Sequence, residues 1–134
     1  ILGCIGGAAL ANLMFDLPAV SISVKDRLTP GHVLAEVVAT AGLVIVIFAL
    51  ARSNRSALIP AAVGTYIAAA YFFTSSTSFA NPAITVGRMF SNTFAGIAPG
   101  TAPWFIAAQL VGGLLGYWAV NSLYTPTART QTAS

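Results

Sequence analysis

The chain has 134 residues, of which 57% are hydrophobic and only 7% are charged. Soluble domains usually carry about a quarter charged residues, so this chain cannot cover itself with enough polar surface to dissolve. Its net charge of +3 comes from dispersed basic residues, which argues against a nucleic-acid partner and predicts a lipid bilayer as its surroundings. The single cysteine, Cys4, excludes an internal disulfide and a cysteine-based metal cluster.

Four apolar segments predict helices that cross or enter the membrane. They are residues 1–17, 32–51, 57–73 and 103–124, and the second and fourth are close to the roughly 20 residues that a span needs. The chain begins inside an apolar stretch without a methionine, so we expect its N-terminus to be a truncation. The polar residues 125–134 predict a tail or a linker.

A shorter helix is predicted over residues 81–93. Asn81 is a good N-cap, Pro82 suits the first helical position, and Ala83 is a small helix former. About a dozen residues span roughly 18 Å, a little over half of a bilayer core. This pattern predicts a half-helix whose N-terminus points to the middle of the membrane, with an ordinary capped helix in an outside loop as the alternative.

The segment before this half-helix is polar, with Ser75, Ser76, Thr77 and Ser78 in sequence. Non-helical backbone at membrane depth is tolerated only where it lines a watery cavity or is covered by protein. We therefore expect the three residues 75–77 to line a re-entrant loop whose free carbonyl groups face a passing solute. The half-helix dipole would repel cations, which favours uncharged polar solutes.

The order of these elements resembles the second half of a major intrinsic protein, the aquaporin and glyceroporin family. The resemblance is carried by Asn81-Pro82-Ala83 with Gly87 behind it, by Glu36 within "LAEVVATAGLVIVIFAL", and by "AAQLVGGLLGYWAV". It covers about residues 1–124 and implies an all-α membrane protein, an inverted-repeat bundle that forms a homotetramer. This chain would carry a truncated portion with about four spans and one re-entrant half-helix.

Glu36 is the one acidic residue well inside an apolar span, which makes it a functional-site hypothesis that requires a partner. In the family that the chain resembles, the matching glutamate supports the backbone of the loop before the half-helix. The resemblance therefore implies that Glu36 is a structural buttress that never touches solute.

The resemblance also identifies three positions of a selectivity filter. Most water-selective members place an arginine three residues after the asparagine and a histidine twelve residues before it; the positions here hold Ile84 and Ala69, and Ser78 stands at the third position. These side chains are smaller or less polar, so a wider mouth without its fixed positive charge is expected. Arg88, one turn further along, is a possible substitute donor.

These expectations combine into a passive channel for water and small neutral solutes, such as glycerol-like molecules. The stretch "SSTSFANPAITVGRMF" also resembles a bacterial branch associated with arsenic resistance, which implies arsenous acid as a solute and the bacterial inner membrane as the location of a multi-pass protein. The alternative is a fragment of a secondary transporter with a broken helix. No pattern in the sequence predicts an enzyme, a cofactor or a metal site.

Overall fold

The protein is an α-helical assembly in the computed structural model, which describes residues 1–124. Its helices are α1 (Leu2–Met14), α2 (Pro30–Arg52), α3 (Ile59–Phe73), α4 (Pro82–Arg88) and α5 (Ala102–Leu123), and a 3-10 turn at Ser56–Leu58 precedes α3. All regular structure within the described range is helical. This confirms the all-α fold class, whereas the predicted tail at 125–134 lies outside the described residues.

Three of the helices are long and apolar enough to cross a membrane: α2, α5, and α3 together with the turn before it. The predicted first span is shorter than expected, because α1 has 13 residues and measures only about 20 Å against a core of about 30 Å. The half-helix is shorter too, since α4 ends at Arg88 rather than at residue 93. The carbonyl groups of Met89 and Phe90, directly after α4, instead accept hydrogen bonds from the amides of the loop at residues 15–29.

Helices α2 and α5 form the closest pair and run parallel. A methyl group added at Gly116 would lie 2.6 Å from the Ala41 carbonyl oxygen and 2.9 Å from the Val44 side chain, so the absence of a side chain allows the close approach. At the far end of the pair, Arg52 of α2 donates to the Val120 carbonyl, 3.3 Å away, near the end of α5. The two helices therefore begin on the same side of the membrane.

Helix α4 packs against α1 rather than standing alone. A side chain at Gly87 would lie 2.8 Å from the backbone of Cys4, so this contact also depends on a glycine. Asn12 of α1 donates to the Phe90 carbonyl at 3.1 Å and accepts from the Ser91 hydroxyl at 2.6 Å. These bonds fix the end of α4 and its following loop onto α1.

The loop at 15–29 closes the outer end of the bundle. The Ser23 amide donates to the Met89 carbonyl at 2.8 Å, and the Ala98 amide donates to the Lys25 carbonyl at 2.8 Å. A small apolar cluster connects the segments before and after α4 to α5; its members are Phe79, Ile97, Ala102 and Phe105. The outer sides of the helices expose many large apolar residues, as expected of a protein embedded in lipid.

Candidate functional site: a loop held at membrane depth

The Glu36 carboxylate is the anchor of the loop at residues 74–80. It is completely buried and accepts hydrogen bonds from the Ser76 hydroxyl at 2.6 Å and the Phe79 amide at 2.9 Å through one oxygen. The other oxygen accepts from the Ala80 amide at 3.0 Å and the Gln109 side chain at 2.7 Å. Four donors thus converge on a group that, when ionised, only accepts.

The position of Glu36 along α2 sets the depth of this loop within the helix bundle. Glu36 lies six residues after the first residue of α2, about 9 Å along the helix axis. Gln109 lies at a similar distance from the start of α5, and the two helices begin on the same side. The backbone that both side chains reach therefore lies between the helices, beyond the ends at which α2 and α5 begin, and α4 follows directly after it.

A second set of bonds connects Glu36 to α4. The Gln109 side chain donates to the Thr85 hydroxyl at 2.9 Å as well as to Glu36, and the Thr85 hydroxyl lies 3.1 Å from the Asn81 carbonyl, to which it donates. Both Gln109 and Thr85 are buried. Helices α2, α4 and α5 are thereby joined through one polar network whose members support one another.

The loop backbone is strained and requires this support. Thr77, Ser78 and Ala80 have φ angles of 65°, 49° and 48°, in the left-handed region that non-glycine residues avoid. Each such residue costs about 1–3 kcal/mol unless the surroundings determine it. Among residues 1–124, the hydrogen bonds engage the amide groups of residues 78–80 and leave the carbonyl oxygens of 77–80 without a donor.

Arg27 holds the same loop from the other side. Its guanidinium donates to the Ser76 carbonyl at 3.1 Å, the Gly96 carbonyl at 2.7 Å and the Phe94 carbonyl at 2.6 Å, and it lies 5.3 Å from the centre of the Phe79 ring. Only 3% of the residue is exposed. Burial lowers the pKa of Arg27, and the negative charge of Glu36 opposes that shift.

The asparagine at the start of α4 caps the helix with its side-chain oxygen. The Asn81 oxygen accepts from the amides of Ala83 at 2.8 Å and Ile84 at 3.4 Å, and Pro82 occupies the first helical position. Because the oxygen is used in the cap, the side-chain NH₂ group of Asn81 points outward as a donor on an exposed residue.

The three predicted filter positions differ in their surroundings. Ala69 is exposed on α3 and Ile84 is exposed on α4, where 37% of its surface is accessible. Ser78 is buried, and its hydroxyl has no hydrogen-bond partner among the described residues. Ile84 lines a cavity of about 220 Å³ between α1 and α4 that does not include Ala69 or Ser78. The cavity beside Ile84 thus does not bring the three positions together.

Arg88 shares the cavity of Ile84, since the two residues are four apart on α4. The lining of this cavity is Cys4, Gly7, Ala8, Ala11, Ile84 and Arg88. Arg88 is half-buried and also borders a neighbouring cavity near Asn12. It therefore faces the same space as the predicted filter position, one turn closer to the C-terminal end of α4.

The three residues expected to line the loop take different roles. The Ser76 hydroxyl donates to Glu36, and the Thr77 hydroxyl lies 3.4 Å from Arg27, from which it accepts, so both are turned into the protein. Ser75 is exposed but faces a groove between α2 and the end of α3. Backbone carbonyl oxygens, rather than the hydroxyl groups of Ser76 and Thr77, are the polar atoms that the loop leaves free.

Sequence reasoning missed the structural roles of Arg27, Gln109 and Thr85. Gln109 was detectable as a polar residue in an apolar span, where such side chains usually hydrogen-bond to another helix. Arg27 gave no local signal, because a basic residue in a charged loop is ordinarily solvated. Within the described residues, no group of three or more histidine, cysteine or acidic side chains could hold a metal ion.

Comparison with known proteins agrees with this architecture. Over 126 residues, or 94% of its length, the chain is 49% identical to the protein named aquaglyceroporin AqpS from Rhizobium meliloti (strain 1021), and it spans about half (54%) of the length of that relative. No family model and no solved structure matches the chain. With three membrane-capable helices and this relative, the chain is part of an integral, multi-pass membrane protein. It belongs to the major intrinsic protein family, which comprises the aquaporins and aquaglyceroporins.

Proposed function

We propose that the chain contributes one wall of a passive channel through which water and small neutral solutes diffuse down their gradients. The observation that carries this proposal is the loop at 74–80, held at membrane depth by Glu36 with the carbonyl oxygens of 77–80 free. Non-helical backbone at that depth is tolerated where it lines a water-filled cavity or is buried in protein, and the free carbonyl oxygens favour the cavity. The name of the relative, an aquaglyceroporin, points to the same class of activity, and we infer that the protein is not an enzyme.

The filter positions favour solutes larger than water. Ile84 and Ala69 are apolar, and neither offers a hydrogen-bond donor or a charge to narrow the mouth. Pore diameter and the lining donors together determine which solutes enter. We therefore propose glycerol-like molecules and neutral metalloid hydroxides such as arsenous acid as solutes, in the inner membrane of a bacterium, with a homotetramer as the assembly.

Asn81 and Arg88 are the donors that we assign to the pathway on this chain. The free NH₂ group of Asn81 would donate to a solute oxygen next to the loop carbonyls. Arg88 lies on the same face of α4 as Ile84 and borders the same cavity, so we propose it as a donor at the outer entrance. Glu36 acts as the buttress of the loop and does not contact solute.

Stopped-flow light scattering on liposomes that contain the complete native protein tests this function. We expect rapid, non-saturating entry of glycerol and of arsenous acid with a low activation energy. Saturation at low solute concentration would instead support the secondary transporter, for which Glu36 would be the ion-binding group.

A size series at one position tests the pathway itself. Ile84→Trp should abolish solute entry, whereas Ile84→Ala should preserve or increase it, because only the larger side chain obstructs the passage. Equal entry in both variants would show that solute does not pass Ile84, and our interpretation of the filter would then be wrong.

A further inference from the structure

The Arg27 side chain is a buried, fixed positive charge directly behind the loop at 74–80. It donates to the Ser76 carbonyl and to the Thr77 hydroxyl, and Ser78, the next residue, is one of the predicted filter positions. With two further bonds to the carbonyls of Gly96 and Phe94, the guanidinium has no freedom to turn away. A planar guanidinium can hold several carbonyl groups at once because its donors form a rigid fork.

The same loop also binds the negatively charged Glu36 side chain. This carboxylate is completely buried and binds the amides of Phe79 and Ala80, which satisfies its hydrogen bonds but not its charge. The negative charge of Glu36 raises the pKa of Arg27, against the effect of burial. Two opposite charges thus bind one short segment, and the electrostatic potentials that they produce at its backbone have opposite signs.

This opposition of charges matters because the backbone groups left free at residues 78–80 are acceptors. The carbonyl oxygens of residues 77–80 have no donor among the described residues, and rows of free carbonyl groups are what cation-selective filters use to replace the water around an ion. An uncompensated Glu36 beside them would increase the attraction for cations. Position 84, where an arginine would oppose this, holds an isoleucine.

We propose that Arg27 excludes cations from the pathway, acting through its field and through the loop rather than by touching solute. The inference rests on the proposed function, since it concerns the charge selectivity of the same channel. Two other basic residues are less suited to this role. Arg88 is half-buried at the end of a seven-residue helix. The ammonium group of Lys25 lies against the Phe94 ring in the exposed part of the loop.

The test measures sodium leak and glycerol entry in the same liposomes with the complete native protein. Arg27→Met removes the charge but keeps an unbranched side chain, and Arg27→Lys keeps the charge. We expect sodium leak to increase at least about tenfold in Arg27→Met, the effect of one charge roughly 10 Å away at an effective dielectric constant of about 20. Arg27→Lys should exclude sodium as the native protein does.

Two matched variants remove a positive charge elsewhere. Arg52→Met acts at the opposite end of α2, where Arg52 binds the end of α5, and should leave sodium leak unchanged. Arg88→Met tests the competing arginine at the entrance and should change sodium leak less than Arg27→Met. A leak in Arg88→Met that equals or exceeds the leak in Arg27→Met would overturn the assignment to Arg27.

The results separate this inference from the proposed function. Normal glycerol entry with native sodium exclusion in Arg27→Met would overturn the role of Arg27 alone, whereas absence of glycerol entry in the native protein would overturn the channel itself. If Arg27→Met does not fold, Ile84→Arg in the otherwise native protein tests whether Arg27 already excludes cations. Because Arg27 already supplies the barrier, the added charge should lower sodium leak less than twofold, and a tenfold decrease would show that no barrier existed.

Discussion

Replacement of Glu36 by alanine removes one acceptor from four buried donors. The hydroxyl of Ser76, the amides of Phe79 and Ala80 and the side chain of Gln109 all lose their partner. An unsatisfied buried donor costs about 1–3 kcal/mol. Because water entering the vacated space restores some of these bonds, we expect the free energy of unfolding to fall by about 4–8 kcal/mol, which approaches the whole stability of many proteins.

Denaturant unfolding of the complete protein in detergent micelles, followed by circular dichroism, measures this loss. Glu36→Gln should lie between Glu36→Ala and the native protein, because one oxygen still accepts two bonds while the NH₂ group faces donors. The matched control is Thr40→Val, one turn further along α2. The Thr40 hydroxyl is buried without a partner among the described residues, so its replacement by a methyl group should not lower stability.

The reasoning would be refuted by a Glu36→Ala protein that unfolds at the same denaturant concentration as the native protein. It would also fail if Thr40→Val lost as much stability as Glu36→Ala, since any polar change in α2 would then be equivalent. Solute entry should disappear together with stability in Glu36→Ala, because the left-handed backbone of the loop relaxes once its amides are released. Native solute entry in that variant would show that the loop does not depend on Glu36.

Three further perturbations test separate parts of the structure. Gly116→Ala should cost about 1–3 kcal/mol by overpacking against α2, whereas Gly113→Ala, where an added methyl group meets nothing within 4 Å, should be neutral or stabilising in thermal unfolding. Hydrogen bonds from the Leu28 amide and Thr101 lower the pKa of Asp26 below its usual 3.8. The ionised Asp26 side chain therefore contributes its full stabilisation above pH 3.8, and this stabilisation is lost as the pH falls through the lower, folded-state pKa. In Asp26→Asn the melting temperature should accordingly change less between pH 5 and pH 3 than it does in the native protein. Ser78→Ala removes an unpartnered buried hydroxyl and should not lower stability, and a changed ratio of glycerol to water entry would show that the hydroxyl faces the pathway.

The helices were predictable because their signals are local. The run of apolar residues in α2 and α5 determines that both are membrane-spanning, and the Asn81-Pro82 pair determines where α4 begins. The end of α4 was not predictable, because it depends on the loop at 15–29, whose amides bind the carbonyls that follow Arg88. The start of α4 is determined by neighbouring residues, whereas its end depends on residues about 70 positions away in the sequence.

The same difference separates Glu36 from Arg27. An acidic residue in an apolar span requires a partner wherever the fold places it, so Glu36 could be identified as important from the sequence alone. Arg27 lies in a polar loop, and its burial becomes visible only when that loop folds over Phe94 and Gly96. The donors to Glu36 could not be predicted from the sequence either, because two of the four are backbone amides, which every residue type except proline carries.

The different hydrogen-bonding roles of Glu36 and Arg27 at the loop suggest how the proposed channel discriminates among solutes. Glu36 binds the amides of residues 79 and 80, and Arg27 binds the Ser76 carbonyl, so the backbone groups left free at residues 78–80 are acceptors. Water, glycerol and arsenous acid all carry O–H donors and can use such acceptors equally well. The loop carbonyls therefore favour solutes that carry donors, while discrimination among those solutes falls to the space beside Ile84. This separation predicts that substitutions at Ile84 change the size limit for solutes without changing charge selectivity, and that neutral substitutions at Arg27 do the reverse.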